Sequence, residues 1–492
     1  MNSPVVSSAE MRAAENSAFA KGISAEALMN TAGAGIARGV QQFFPQPGHC
    51  LCFAGKGNNG GDALVAAAHL KRAGWHTDVH LSFSENESSD LLRKKIAEFR
   101  DTAAIERILN VSPSFIVLDG LLGLGSKPPL RGPILAACRE INRLRREQSA
   151  YVFAVDLPSG LDGDTGAVDQ DCVVADFTVT IGAAKRGLLA DDALNFIGRL
   201  AVVSLPELGL PDTEETIACS TSLQDVLPRR QFSAFKNQFG RIGIVAGSRG
   251  FAGAATMCAF GALRGGAGLV EVFVPENIYE IVTAAAPFES MVKPIKTYAK
   301  LRDEAVDAWA IGPGLGKTHA KEITALVQQN EKPMVVDADA LNVLSGQVSV
   351  LKNCRGPRLL TPHAGEMKRL AGDHKISRAD IARKLTTEFP VTLLLKGSRT
   401  IVAEGGKRIS YNTTGNPGMA TGGMGDVLTG VCAALIGQKV SLFDSARVAA
   451  WVCGRSAELA LFNNSASEQS LLPRDVLEHL GRAFRDLQGS AI

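Results

Sequence analysis

The chain has 492 residues, too many for one hydrophobic core, so two or three domains are expected. Its 46% hydrophobic and 21% charged residues are the balance of an ordinary soluble protein. The 52 basic and 50 acidic residues leave a formal charge of +2 without long runs, which argues against a nucleic-acid stripe or a polybasic membrane patch.

The N-terminal stretch "MNSPVVSSAEMRAAENSAF" has no basic segment followed by an apolar core, so no signal peptide is expected. No apolar run reaches about 18 residues without a charge. The longest, "AATMCAFGALRGGAGLVEVFV", is interrupted by Arg264 and by glycines. Nine scattered cysteines fit a reducing compartment, and a cytoplasmic location is expected.

The segment "SSAEMRAAENSAFAKGISAEALMNTAGAGIARGVQQFF" reads as two helices outside a sheet. "CLCFAG" follows as a strand, with Cys50 and Cys52 on one face as a buried structural pair, since no second Cys/His pair has ligand spacing. "DALVAAAHLKRAG" is a helix, and "TDVHLSF", "SFIVLDG", "AYVFAVDLP", "DFTVTIG" and "LAVVSL" continue the strands. Nearly all-apolar strands alternating with helices predict a doubly wound α/β sheet of Rossmann-like type. Residues 205–240 carry prolines and polar residues with little periodicity and read as a linker. The domains are expected at 1–215 and 216–492. Alternation then restarts with "RIGIVAG", "LVEVFVP", "AWAIGPG", "PMVVDAD", "RLLTPH", "TLLLKG" and "RTIVAEGG", a second α/β domain.

In the first half, "AGKGNNGGDALVAAAHL" runs from a strand into a helix. Glycines allow close backbone approach, and helix N-terminal N–H groups bind anions. The spacing matches neither G-x-G-x-x-G nor the Walker loop. Asn58 and Asn59 favour a ligand loop over a plain turn capped by Asp62, and Asn59 offers a carbonyl oxygen to a hard cation. Asp119 and Asp156 close two further strands, where ligands of open α/β sheets converge. Lys127 and Arg131 follow Asp119 on a loop and are available to phosphate, and Ser159 shares a turn with Asp156. Either aspartate alone could be a strand-end turn former.

"NNGGD", "LDGLLGLG" and "VDLPSGLDGDTG", in that order, resemble the NAD(P)H-hydrate epimerase family, the YjeF N-terminal domain, over about residues 8 to 210. The resemblance implies interconversion of the R and S epimers of NADH or NADPH hydrated at nicotinamide C6. It implies that the loop Asn58, Asn59, Gly60, Gly61 and Asp62 holds substrate phosphates. Asn59, Asp119 and Ser159 would bind K+, and Asp156 would be the acid/base group. Gly123, Leu124, Gly125, Ser126, Lys127, Pro128 and Pro129 would line the pocket. Ala63 stands where a third glycine is common in the family.

In the second half, "NPGMATGGMGD" precedes the helical run "VLTGVCAALIG" and ends on Asp426. Backbone N–H groups there form an anion hole, and a carboxylate beside it fits a base for a hydroxyl that attacks a phosphoryl group. A helix N-cap is the plain alternative for Asp426. "GPGLG" follows the strand "AWAI" with no space for side chains against a ligand, and "TPHAGE" sets His363 and Glu366 at a strand end. "LLLKGSRTIV" offers Lys396 and a Gly-Ser turn to a nucleotide phosphate, or is a simple hairpin.

Together, "GSRGFAGA", "GPGLG", "VVDADALN", "LTPHAGEM", "LKGSRT" and "GNPGMATGGMGDVLTG" resemble the ADP- or ATP-dependent NAD(P)H-hydrate dehydratase family, a ribokinase-like fold, over about residues 225 to 490. The resemblance implies that Ala254, Gly316, His363 and Asp426 meet the hydrated dinucleotide. Lys396, Gly397, Ser398, Arg399, Thr400 and Gly425 would meet the adenine nucleotide. It implies ADP as phosphoryl donor, Mg2+ with it, and Asp426 as the base. Cys453 stands where many relatives have His. The expected partners are the small molecules NADHX, NADPHX and ADP, in a homo-oligomer, with no nucleic acid and no membrane. The rival reading is a ribokinase-like small-molecule kinase with an N-terminal ligand-binding module.

Overall fold

The computed structural model describes residues 3–103, 114–227, 229–373, 376–462 and 466–489. The chain forms two compact units that part between Cys219 and Ser220.

The first unit opens with strand β1 (Ser3–Val6) and helices α1 (Ser8–Ala20) and α2 (Ala25–Phe43). Ser7 and Glu10 close a reciprocal capping box on α1, and Ser24 caps α2, so both helices start where their side chains satisfy free N–H groups. Then come β2 (His49–Ala54), α3 (Asn58–Arg72), β3 (His76–Leu81), α4 (Asp90–Asp101), β4 (Phe115–Gly120), α5 (Gly132–Glu147) and β5 (Tyr151–Val155). They are followed by β6 (Phe177–Ile181), β7 (Ala184–Lys185), α6 (Leu194–Ile197), β8 (Arg199–Val203) and β9 (Glu215–Ala218). The main sheet is six-stranded and parallel, in the order β3-β2-β4-β5-β6-β8. The order reverses at β2, which lies between β3 and β4. A crevice at the carboxyl ends of β2 and β4 is therefore the expected ligand position.

The sequence reading missed three short strands here. β9 lies in the stretch read as linker, and it pairs antiparallel with β1 through Ser3↔Ile217 and Pro4↔Thr216. β1 also pairs parallel with β7, placing Val6 opposite Lys185. Strands of two to four residues leave too few positions to show alternation, and their pairing comes from remote chain. Their effect is local: β1 fixes the backbone of Lys185.

The second unit begins with α7 (Ser220–Leu223), β10 (Arg241–Val245), α8 (Ala252–Arg264), β11 (Leu269–Pro275), α9 (Tyr279–Ala285) and β12 (Ser290–Ile295). It continues with β13 (Ala308–Ile311), α10 (Ala320–Gln329), β14 (Met334–Val336), α11 (Ala338–Leu344), β15 (Arg358–Leu360), α12 (Ala364–Ala371) and α13 (Arg378–Glu388). β16 (Thr392–Leu395), β17 (Ile401–Glu404), β18 (Ile409–Asn412), α14 (Met424–Gly437), α15 (Leu442–Phe462) and α16 (Pro473–Gln488) complete it. The strands run in the order β12-β11-β10-β13-β14-β15-β16-β17-β18, parallel from β12 through β16 and antiparallel at β17 and β18. β12 and β18 were not foreseen. β12 is an edge strand and carries Pro294, which an edge tolerates. The carboxyl ends of β10, β13, β14, β15 and β16 stand side by side, and the order reverses at β10.

Helix α14 reaches those strand ends because it packs backbone to backbone on α8. A Cβ at Gly430 would lie 2.1 Å from the Cys258 carbonyl oxygen, and one at Gly261 would lie 2.4 Å from the Val427 carbonyl oxygen. Gly430→Ala is therefore expected to destabilise the protein by about 1–3 kcal/mol or more through overpacking. Gly481→Ala, on α16 with open space around it, should stabilise by about 0.4–1 kcal/mol through lower unfolded-chain entropy. Denaturant unfolding of the two variants reads both signs; equal effects would contradict the helix contact.

Candidate active sites

In the first unit a cavity of about 1340 Å³ opens at the carboxyl ends of β2 and β4. Gly57, Asn58, Asn59 and Asp62 line one side, and Gly123, Leu124 and Gly125 line another. Asp156 and Lys185 face it from the sheet, with Met11, Arg12 and Glu15 contributed by α1. α3 starts directly after Gly57, so Asn58 through Asp62 form its first turns, and Asp62 lies inside the helix rather than capping it. Gly60 and Gly61 are buried and serve close packing: a Cβ would lie 2.0 Å from the Gly55 carbonyl oxygen or 2.5 Å from the Met29 methyl. Ala63 fits, fully buried, against Gly120. Ser126 turns inward and accepts the Gly160 N–H at 3.3 Å, while Lys127 and Pro129 are exposed. Lys127, Pro128 and Pro129 do not line the cavity.

Asp119 and Ser159 are joined. Ser159 donates its hydroxyl to Asp119 at 2.7 Å and its N–H at 2.8 Å, and its own oxygen accepts the Leu122 N–H at 3.0 Å. Burial raises the Asp119 carboxyl to about 6, and the hydrogen bonds from Ser159 and Leu121 oppose the shift. Asn59 donates its amide to the Leu122 carbonyl at 2.9 Å, which fixes the side chain beside Gly123.

Asp156 adopts a left-handed backbone, φ 66°, directly after β5. An aspartate in that region is uncommon, and such residues cluster at functional sites. Its Oδ1 accepts from the Ile181 N–H at 3.0 Å, from the Thr180 hydroxyl at 3.1 Å and from the Lys185 ammonium. Lys185 is fully buried and also donates to Thr180 at 3.1 Å and to the Ile181 carbonyl at 2.8 Å. Two more carboxyls share this corner. Burial raises Asp62 well above its ordinary value, with Asp156 and Glu15 adding repulsion, and burial then Asp156 raise Glu15. Sequence reasoning missed Lys185 because its partner is 29 residues away and nothing beside it signals chemistry.

In the second unit the loops after β10 and β13 are tied together. Gly247 donates its N–H to the Pro313 carbonyl at 2.8 Å, and Ser248 donates to the Gly314 carbonyl at 2.7 Å. Gly312, at φ 130°, has no room for a side chain, since a Cβ would lie 1.8 Å from the Asp337 carbonyl oxygen. Gly316 donates its N–H to Asp339 at 2.8 Å, and Ala254 lies in the first turn of α8 beside Gly314.

At the centre is Asp337, 1% exposed, at the end of β14. It accepts from the Lys396 ammonium at 2.7 Å and from the Thr429 hydroxyl at 2.8 Å. Lys396 follows β16 and also stands 4.0 Å from Glu366. Burial disfavours its charge, but Asp337, Glu366 and Asp426 outweigh that and raise its pKa. A Cβ on Gly425 would lie 3.2 Å from the Lys396 ammonium and 3.5 Å from an Asp337 oxygen, so the first turn of α14 rests on this pair.

Asp426 is the third residue of α14. The helix cap is Gly423, left-handed at φ 94°, which removes the N-cap alternative for Asp426. Burial raises the Asp426 carboxyl to about 7, with repulsion from Asp337 adding and attraction from Lys396 subtracting. His363 caps α12: its Nδ1 accepts from the Gly365 N–H at 2.9 Å, so in the neutral ring the proton sits on Nε2. The 392–404 stretch is indeed a hairpin, whose turn holds Lys396, Gly397, Ser398, Arg399 and Thr400. Ser398 is exposed and Arg399 buried. Cys453 is buried in α15, and burial pushes its thiol up to about 12, the behaviour of a packing residue. Asp337 was within reach of sequence reasoning, since "VVDADALN" ends a strand on an aspartate just as Asp119 and Asp156 do.

The NAD(P)H-hydrate dehydratase family model matches residues 242–481, and the model for the YjeF-related protein N-terminus matches residues 25–187. A bifunctional NAD(P)H-hydrate repair enzyme of Moorella thermoacetica is 34% identical, over 94% of this chain and 92% of that protein. The enzyme of that name from Escherichia coli is also 34% identical, over 89% of this chain and 86% of the relative. An ADP/ATP-dependent NAD(P)H-hydrate dehydratase structure from Bacillus subtilis, co-crystallised with ATP/Mg2+, is 27% identical with a TM-score of 0.48, covering 55% of this chain and 98% of that one. The chain belongs to the family of bifunctional NAD(P)H-hydrate repair enzymes.

Proposed function

We propose that the first unit interconverts the R and S epimers of NADH and NADPH hydrated at nicotinamide C6, and that the second dehydrates the S epimer with ADP. The observation that carries this reading is Asp426: a carboxyl raised to about 7, at the start of a helix whose first turn rests on Lys396.

In the second unit Asp426 takes the proton of the C6 hydroxyl. The freed oxygen attacks the β-phosphorus of ADP, and the bond to AMP breaks. The C6–O bond then breaks as the C5 proton passes to the departing phosphate, which restores the ring and releases inorganic phosphate. N–H groups at the start of α14 stabilise the developing phosphoryl charge. Lys396 and the turn through Thr400 face the nucleotide, and Ala254, Gly316 and the Nε2 proton of His363 orient the dinucleotide. Asp339 and Glu366 would supply hard oxygen donors to Mg2+ carried with the nucleotide, and the ion would neutralise phosphoryl oxygens when bound.

In the first unit Asp156 is the acid/base group. Its hydrogen bonds fall on Oδ1, which leaves Oδ2 for the substrate, and Lys185 holds the carboxylate in place. Asn58 and the first N–H groups of α3 face the substrate phosphates. Asn59, Asp119 and Ser159 form an all-oxygen set that suits K+, and a cation there would hold the Asp119 carboxylate ionised. A reducing, cytoplasmic setting is part of this reading, since the nine cysteines form no disulfide. Among the described residues no helix is long and apolar enough to cross a membrane.

A mixture of hydrated NADH epimers with ADP should regain absorbance beyond its S fraction, with AMP formed in step. In the Asp156→Ala protein, recovery should be fast up to the S fraction and then proceed only at the spontaneous epimerisation rate. A stable phosphorylated product in place of NADH would favour the small-molecule kinase instead.

Asp426→Asn should slow dehydration by about 10²–10⁴-fold with ADP affinity largely kept. Below its pKa the carboxyl is protonated and cannot accept the hydroxyl proton. kcat/KM should therefore rise with pH to a plateau, with a midpoint about 7. A midpoint in the ordinary carboxylate range, near 4, would contradict a buried base.

A further inference from the structure

We propose that β2 and β3 carry a transition-metal site at their amino ends, formed by His49, His76 and Asp78, that takes a divalent ion of the Zn2+ type. The strands are parallel and in register, with His49 opposite His76 and Leu51 opposite Asp78. Residues two apart on a strand share a face, so the two imidazoles and the carboxylate converge from neighbouring strands.

Both Nε2 atoms address the same oxygen. His49 Nε2 is 3.0 Å from Asp78 Oδ2, and His76 Nε2 is 3.6 Å from it. The three donor atoms lie within 4.8 Å of one another. A tetrahedral zinc ion with bonds of about 2.0–2.1 Å separates its ligand atoms by roughly 3.3–3.4 Å. The observed spacings lie on either side of that value, and small side-chain rotations complete it. A carboxylate oxygen has two lone pairs and can receive both nitrogens without an ion, so titration with Zn2+ separates a metal site from an ion-paired cluster.

The His49 ring is held in place, stacked on Phe115 at 5.0 Å and 10° and on His76 at 5.1 Å and 23°. The side chains are 37%, 73% and 56% exposed in the order His49, His76, Asp78, so water can complete the coordination. Two imidazoles and one carboxylate select a zinc-type ion over Mg2+ or K+. Ala54, at the cavity end of β2, is five residues from His49, roughly 16 Å along the strand. The ion would clasp the edge strand β3 to β2, away from substrate.

The test is calorimetric titration of tag-free, full-length protein with Zn2+. The expected result is one Zn2+ more per chain than the His49→Ala/His76→Ala protein binds. His76→Ala and Asp78→Asn alone should each weaken that site at least tenfold, and a large excess of Mg2+ should not displace the ion. His76 and Asp78 are exposed, and an unchanged circular dichroism spectrum in the single variants checks the fold. Equal Zn2+ uptake by wild type and variants would mean an ion-paired cluster only, and displacement by Mg2+ would mean the wrong ion class; either overturns the proposal.

Discussion

Burying the Asp337 carboxylate at the end of β14 is costly unless its charge is matched, and the match organises the second unit's site. Its two partners come from places far apart in sequence, Lys396 after β16 and Thr429 on α14. Satisfying one carboxylate thus pins a strand end, a hairpin turn and the face of a helix. Asp426 rides on that helix one turn before Thr429. The same arrangement sets its chemistry. Burial and the nearby Asp337 charge push the Asp426 carboxyl up, and Lys396 keeps it from rising further. The base proposed to act near neutral pH would rest on one buried pair and one helix position.

The first unit solves a similar problem differently. Asp156 is matched by Lys185, which is itself fixed by the short pairing of β7 with β1. Asp119 is matched by a serine hydroxyl and two N–H groups, with no cationic side chain among these partners. Both aspartates stand at strand ends near the point where strand order reverses. In each unit the glycines do two jobs. Some, such as Gly57 at the first unit's cavity and Gly316 in the second unit, leave the backbone open, and others, such as Gly60 and Gly430, let a helix lie directly on neighbouring backbone.

The sequence was most legible where chemistry and local structure coincide. Apolar strands between amphipathic helices showed the α/β character of both halves. Strand-end aspartates and glycine turns marked Asp119, Asp156 and Asp426. What it hid depends on distance along the chain. Lys185 has meaning only beside Asp156, and β1, β7 and β9 are stable only as a set of remote pairings. The start of α14 was hidden for another reason: Gly423 in a left-handed conformation begins the helix before Asp426, so an apparent cap is a first-turn residue. The His49, His76 and Asp78 cluster spans two strands and is likewise invisible to spacing rules.

Asp426 is proposed to work as a base because Asp337 and Lys396 tune it. The most direct measurement is the pH dependence of kcat/KM for dehydration in Asp337→Asn. Removing the Asp337 charge removes repulsion and leaves the Lys396 ammonium free to face Asp426; both favour the ionised carboxylate. The midpoint should therefore fall below the wild-type value of about 7. A midpoint that stays in place or rises would contradict the account.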